Sequence, residues 1–337
     1  MVDFRKLPKI ELHCHLDASV RVATVAELGR GMGLVLPEPL ELALVAPESC
    51  VNLADYLRRI DLALEVMQES AHLTRIAREL VEDLAREGVI YGEIRFAPQL
   101  HRRRGLSLQE VVNAVHDGLQ AGACAVPTGL ILCCLRHESA AQSLDIARLA
   151  ADNRDKVCAL DLAGDEARFP GGPHSEAFAL AREAGLHRTV HAGEAAGADS
   201  VREALDVLGA ERIGHGVRAE ESPEVEDVIR RRGIVLEMCP CSNVQTRATP
   251  SLTNHPIHRF LRRGLRVTVG TDARTVSDTT LTSEFEHLAE VFGWGSEEFW
   301  ECQRHAAEAA FVSADVSAEL LRKLALVETA SESGARA

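Results

Sequence analysis

The chain has 337 residues, 46% hydrophobic and 26% charged, with 37 Lys and Arg against 51 Asp and Glu and a formal net charge of −14. That acidity argues against a nucleic-acid backbone or an anionic membrane as partner, since both attract basic surfaces, and the run Arg102-Arg103-Arg104 reads as a solvated loop. No stretch of 18 apolar residues occurs, and charges interrupt the first residues where a signal peptide would carry its apolar core. The nine cysteines are odd in number and include no CxxC pair, with Cys133 and Cys134 adjacent in an apolar run as buried thiols often are. A cytoplasmic protein without structural disulfides is expected.

Short β-rich runs alternate with helical stretches along the chain, the pattern of βα units around a parallel sheet. Eight runs carry it: residues 9–16, 89–97, 129–136, 156–164, 187–194, 212–216, 233–240 and 266–272. Several are apolar almost throughout, as strands covered on both faces should be. Between the first two, residues 30–70 carry helical patterns of their own and predict a rim or lid insertion. Over 72–87 the apolar residues Leu73, Ile76, Ala77, Leu80, Val81, Leu84 and Ala85 recur at helical spacing, with Glu79, Glu82, Asp83, Arg86 and Glu87 on the other face. Ser107 with Glu110 forms a capping box, and Ser222-Pro223 supplies a cap and a first-turn proline. After Val327 the chain turns small and polar, so residues 1–327 are expected to form one domain and 328–337 a disordered tail. Eight strands with as many helices favour an α/β fold of the closed (β/α)8, TIM-type barrel. The open doubly wound sheet loses its main support because no GxGxxG follows the first run.

Active sites of such barrels gather at the C-terminal ends of the strands. There the sequence puts His13, Cys14, His15 and Asp17 after the first strand, and Asp161, Gly164, Asp165 and Glu166 after the fourth. His191 and Glu194 follow the fifth, His215 the sixth and Asp272 the eighth. Alternation along a strand points His13 and His15 to one side and Cys14 to the other, which makes a two-point grip for a metal. With His191 and Asp272 the set becomes three imidazoles and a carboxylate, suited to Zn²⁺ with a position left for water. A binuclear site bridged by a carboxylated lysine has no candidate, because only four lysines exist and Lys156 opens the fourth strand instead of closing it. The H-x-E and P-C-x-x-C pattern of cytidine-type deaminases is absent, since Pro240-Cys241 is followed by Ser242-Asn243; Cys239 and Cys241 read as packing thiols. No GxSxG elbow supports a serine hydrolase.

Six motifs, PKIELHCHLD (8–17), DLAGDE (161–166), TVHAGE (189–194), RIGHGV (212–217), EMCPCSN (237–243) and VTVGTD (267–272), together resemble the adenosine deaminase family of metal-dependent amidohydrolases in order and spacing. The resemblance implies a barrel holding one Zn²⁺ per chain through His13, His15, His191 and Asp272. It implies that Glu194 gives a proton to the purine ring and that His215 assists the attacking water, steering and deprotonating it. Gly164, Asp17 and His15 would touch the substrate, a small purine nucleoside. Three positions depart from the family pattern: Ala18 stands for a glycine, Ala273 for a second acid that reaches a ring nitrogen, and Arg247 for another glycine. All three are expected near the substrate, with Arg247 either meeting an anionic group of a modified substrate or pointing to solvent. The implied reaction is deamination of adenosine or 2′-deoxyadenosine to the inosine-type product. Adenine, a modified nucleoside such as aminodeoxyfutalosine, a ring-opening amidohydrolase activity and a non-catalytic barrel stay open as alternatives.

Overall fold

The computed structural model describes residues 2–335, with side chains as far as Ala330. Eight parallel strands pair in sequence order: β1 Lys9–His15, β2 Val89–Phe96, β3 Thr128–Leu135, β4 Val157–Ala163, β5 His187–Ala192, β6 Arg212–His215, β7 Val235–Met238 and β8 Arg266–Val269. Each strand matches a run read from the sequence, and helices on the outer face separate them, so the fold is a (β/α)8 barrel. The ring closes between β8 and β1 through the turn that follows β8. There Asp272 N–H donates to His13 O and His15 N–H to Asp272 O, both at 2.7 Å. Glu11, inward on β1, holds the same turn by accepting from Thr271 N–H at 3.1 Å and Thr271 Oγ1 at 2.8 Å.

The rim insertion is helical, with α1 Val22–Gly31, α2 Glu41–Leu44, α3 Leu53–Leu57 and α4 Asp61–Val66 ahead of α5 Ser70–Arg86. The apolar stripe of α5 packs inward as its spacing predicts. Glu79, however, is buried instead of facing water, because α1 lies over it: Thr24 Oγ1 donates to its Oε2 at 2.5 Å and Arg21 bonds its carbonyl at 3.0 Å. Arg103 and Arg104 form ion pairs with Glu65 and Glu69 of the rim. The capping box of Ser107 and Glu110 and the Ser222 cap are both formed. The last helix runs Ala314–Ala335, past Val327 where a disordered tail is expected. Its inner face buries Leu320 and Leu324, and beyond them Glu328 pairs with Arg304 at 3.0 Å, so the packed part carries the helix onward. Residues 336–337 of the expected tail lie outside the described residues. Among the described residues, no helix is long and apolar enough to cross a membrane.

Candidate active site

Histidines from three strands meet at the barrel mouth. His13 and His15 share one side of β1 while Cys14 packs into the apolar core. His191 comes from β5, and His215 closes β6 with a left-handed φ of 64°. Gly214 on β6 keeps the space between these rings tight, since a Cβ there would stand 3.0 Å from His13 Cε1 and 3.3 Å from His191 Cα.

The outer nitrogens are braced. His13 Nδ1 meets Glu237 Oε2 at 2.8 Å and His191 Nδ1 meets Asp161 Oδ1 at 3.1 Å. In the tautomers this network assigns, both rings carry a proton on Nδ1 and turn Nε2 inward. His15 Nε2 lies 3.0 Å from His191 Nε2 and 3.4 Å from Asp272 Oδ1, and His13 Nε2 lies 3.5 Å from the same oxygen. Those separations match the edge of roughly 3.3 Å in a tetrahedron whose metal bonds are about 2.0–2.1 Å. His13 Nε2 is buried with no hydrogen-bond partner. The donor set therefore fits a divalent cation of zinc type. His215 belongs to the same cluster, since His13, His191, His215 and Asp272 each bring a donor atom within 4.8 Å of the others.

The local field favours positive charge at this point. Burial and Arg95 push the His13 pKa down, yet Asp272 and Glu237 carry it above its ordinary value. Burial works to raise the Asp272 carboxyl, but the close approach of His13 and the other surrounding imidazoles holds it well below the usual range, so it stays ionised. Ser242 Oγ donates to Asp272 Oδ2 at 2.5 Å. Burial drives His215 well down, so it is neutral. Its Nδ1 accepts from Asn243 Nδ2 at 2.9 Å, and the Asn243 amide is oriented by Cys239 N–H at 3.4 Å and His255 Nε2 at 3.1 Å on Oδ1.

Glu194 sits on the loop after β5. Glu166 fixes that loop by accepting the successive N–H groups of Gly193, Glu194, Ala195 and Ala196 at 2.7, 3.0, 2.6 and 2.9 Å. Burial, with Asp272 and Glu166 nearby, raises the Glu194 carboxyl well above its ordinary value. One oxygen lies 3.6 Å from His215 Nε2, and the other is buried without a partner. A small pocket brings together His15, Asp17, Gly164, His191, Glu194, His215 and Asp272. It shares His15, Asp17 and Gly164 with an outer groove of about 1140 Å³. Gly164 holds φ at 103°, where a side chain would be strained.

Two of the three departing positions lie where they are expected. Ala18 and Ala273 line the cavity and pack with Tyr56 and Val276. Arg247 is exposed and does not line the cavity, and it also makes a contact that the sequence does not suggest. Its guanidinium donates to Cys50 O at 2.7 Å and Glu48 O at 2.5 Å, strapping the rim insertion to the loop after β7. Four further residues have no role in the motif reading: Tyr56, Arg95, Glu237 and Asn243. Arg95 and Glu237 carry a sequence signal, a charge at an inward position of an apolar run, whereas Tyr56 carries none.

Fold and site together define a barrel hydrolase with a histidine and aspartate centre for a metal. A family model described as adenosine deaminase matches residues 8–327. The adenosine deaminase of Clostridium acetobutylicum is 39% identical over 324 residues, which is 94% of this chain and 97% of that protein. Among solved structures, the adenine deaminase of Arthrobacter aurescens aligns with a TM-score of 0.90 at 29% identity, covering 96% of this chain and 99% of that one. The arabidopsis N6-mAMP deaminase aligns at 0.87 and 27%, covering 95% and 98%. The chain belongs to the adenosine deaminase family and is a hydrolytic deaminase.

Proposed function

We propose that the chain deaminates adenosine and 2′-deoxyadenosine, releasing ammonia and the inosine-type product, with one Zn²⁺ on His13, His15, His191 and Asp272. The observation that carries this reading is a pair of buried, partnerless atoms: His13 Nε2, clustered with His191 and Asp272, for a metal, and an oxygen of Glu194, in the pocket those two residues line, for a substrate nitrogen. A zinc ion held there would act as a Lewis acid, bringing the pKa of water to about 7 so that a nucleophile would be available at neutral pH.

The chain's own residues do the rest. Glu194, kept protonated, gives its proton to the ring nitrogen beside the amino-bearing carbon and draws electron density from that carbon. Because Asn243 donates to His215 Nδ1, neutral His215 carries its proton on Nε2. It therefore assists by donating a hydrogen bond to the incoming oxygen as charge develops there, in place of removing a proton from it. Asp17 and Gly164, shared by pocket and groove, contact ribose and base; the room beyond them favours a nucleoside over the bare base. Residues 1–327 act as one catalytic unit, and nine unpaired thiols support a cytoplasmic setting.

The test is ammonia release from zinc-replete protein over adenine, adenosine, 2′-deoxyadenosine and aminodeoxyfutalosine. Turnover of adenosine and 2′-deoxyadenosine well above the other two is expected, and a preference for adenine or aminodeoxyfutalosine, or no turnover at all, overturns the reading. Glu194→Gln should lower kcat about 10²- to 10⁴-fold while zinc per chain, read by atomic emission, is unchanged.

A further inference from the structure

On the side of the pocket formed after β8 and β1, His15, Asp17 and Asp272 are the polar residues, given above to metal and ribose, and what is left for the base is apolar. Glu194 and Gly164 follow β5 and β4, whereas Ala273 and Ala18 follow β8 and β1, so the two walls lie across the ring of eight strands from each other. On the β8 and β1 wall Ala18, Leu53, Tyr56, Ala273 and Val276 belong to one buried apolar cluster. Its nearby backbone groups are already paired. Ala273 N–H donates to Thr271 O and Ala273 O accepts from Ser277 N–H, both at 2.7 Å, and Ala18 O accepts from Thr275 N–H at 3.1 Å. The Tyr56 hydroxyl is paired with Ser277 Oγ at 2.6 Å.

The orientation of an adenine ring in this pocket follows from its chemistry. Carbon 6 is flanked by N1 on one side and on the other by C5, which carries N7. With Glu194 serving N1, the N7 edge is turned to the apolar wall. N7 is a hydrogen-bond acceptor, and an acceptor buried without a donor is penalised where a C–H group of the same shape is not.

We propose that this wall takes a C–H as readily as a nitrogen at ring position 7, so that 7-deazaadenine nucleosides are substrates of this chain alongside adenine nucleosides. The inference rests on the nucleoside reading above. The reaction is otherwise the same: water oxygen bonds to carbon 6, the carbon to amino-nitrogen bond breaks, ammonia leaves, and no other co-reactant is needed.

The test compares kcat/KM for adenosine and 7-deazaadenosine with zinc-replete wild type, Ala273→Asn and Tyr56→Phe. Intrinsic differences in ring reactivity cancel when the substrate ratio is compared between proteins. Wild type should turn over both nucleosides. The side-chain amide introduced by Ala273→Asn can donate to N7 but not to C–H, so A273N should raise the adenosine to 7-deazaadenosine ratio at least tenfold, and Y56F should leave it within twofold. Adenosine turnover with none of 7-deazaadenosine, an unchanged ratio in A273N, or a ratio lowered by Y56F overturns the proposal, the last because Tyr56 would then already serve N7. Wild-type inhibition constants for inosine and 7-deazainosine give a variant-free check, expected within threefold; inosine tenfold tighter overturns it. No turnover of either substrate overturns the nucleoside reading itself, and this inference with it.

Discussion

At the scale of single residues, the second contact of each side chain decides what its first contact can do. His13, His191 and His215 are all buried imidazoles of the same cluster, yet their Nδ1 partners differ: carboxylates for the first two, an amide N–H for the third. A carboxylate partner leaves a lone pair on Nε2, and an amide donor leaves a proton there. Asn243→Asp should therefore reverse the His215 tautomer and lower kcat on the order of 10²-fold, with zinc per chain unchanged. Steady-state kinetics with metal analysis checks this, and kcat within threefold of wild type would count against the donor role. The non-glycine residues His215, Arg247 and Asp272 all hold left-handed backbone at the barrel mouth, where the surrounding hydrogen bonds keep them in a conformation that L-residues otherwise avoid.

At the scale of elements, two of the contacts that tie down the rim lead to measurable predictions. Arg247 straps residues 48–50 from one side. His101 Nδ1, in the loop after β2, reaches Met67 O at the end of α4 at 3.1 Å. Arg247→Ala loses two bonds to carbonyls and keeps an unfavourable φ of 64°, so unfolding free energy in urea should fall by about 1–2 kcal/mol. Arg247→Gly loses the same bonds but relieves the backbone and should be about 1 kcal/mol more stable than the alanine variant. Burial lowers His101 from its ordinary value of 6.5 to about 4. Between those values the unfolded chain binds more protons than the folded one. Stability from this group is thus complete above pH 6.5 and declines as the pH falls toward 4. His101→Asn should flatten that part of the stability profile, measured as urea midpoints at successive pH values.

At the scale of the whole molecule, one guanidinium joins strands from opposite parts of the ring. Arg95, fully buried on β2, donates to Asp161 Oδ2 on β4 at 3.0 Å, to Glu237 Oε2 on β7 at 2.7 Å and to Leu12 O on β1 at 2.6 Å. Those carboxylates are the ones that orient His191 and His13. Arg95→Met leaves both without their shared cation, at a cost of about 3–5 kcal/mol. The variant should melt earlier in denaturant and retain less zinc per chain after dialysis against a weak chelator. This network also marks how far the sequence reaches. Strand order and the histidine set are legible because hydrophobic runs and HxH alternation are local patterns. Arg95 and Glu237 are visible as charges inside apolar runs, but which carboxylate meets which arginine depends on barrel closure. Tyr56 and Arg247 are out of reach, since neither periodicity nor motif says which way an irregular rim folds back over the mouth. The helix that continues through 328–335 belongs with these, because its small polar composition hides the packed turn that precedes it.

The seam between β8 and β1 has a consequence for how the protein is made. During synthesis His13 and His15 emerge almost first, and Asp272 only after seven strands have followed them. Because Asp272 closes the ring with its own backbone, no chain shorter than 272 residues holds His13, His15, His191 and Asp272 together. Shorter ribosome-bound intermediates present scattered imidazoles, and the four donors can gather only once the turn after β8 has met β1.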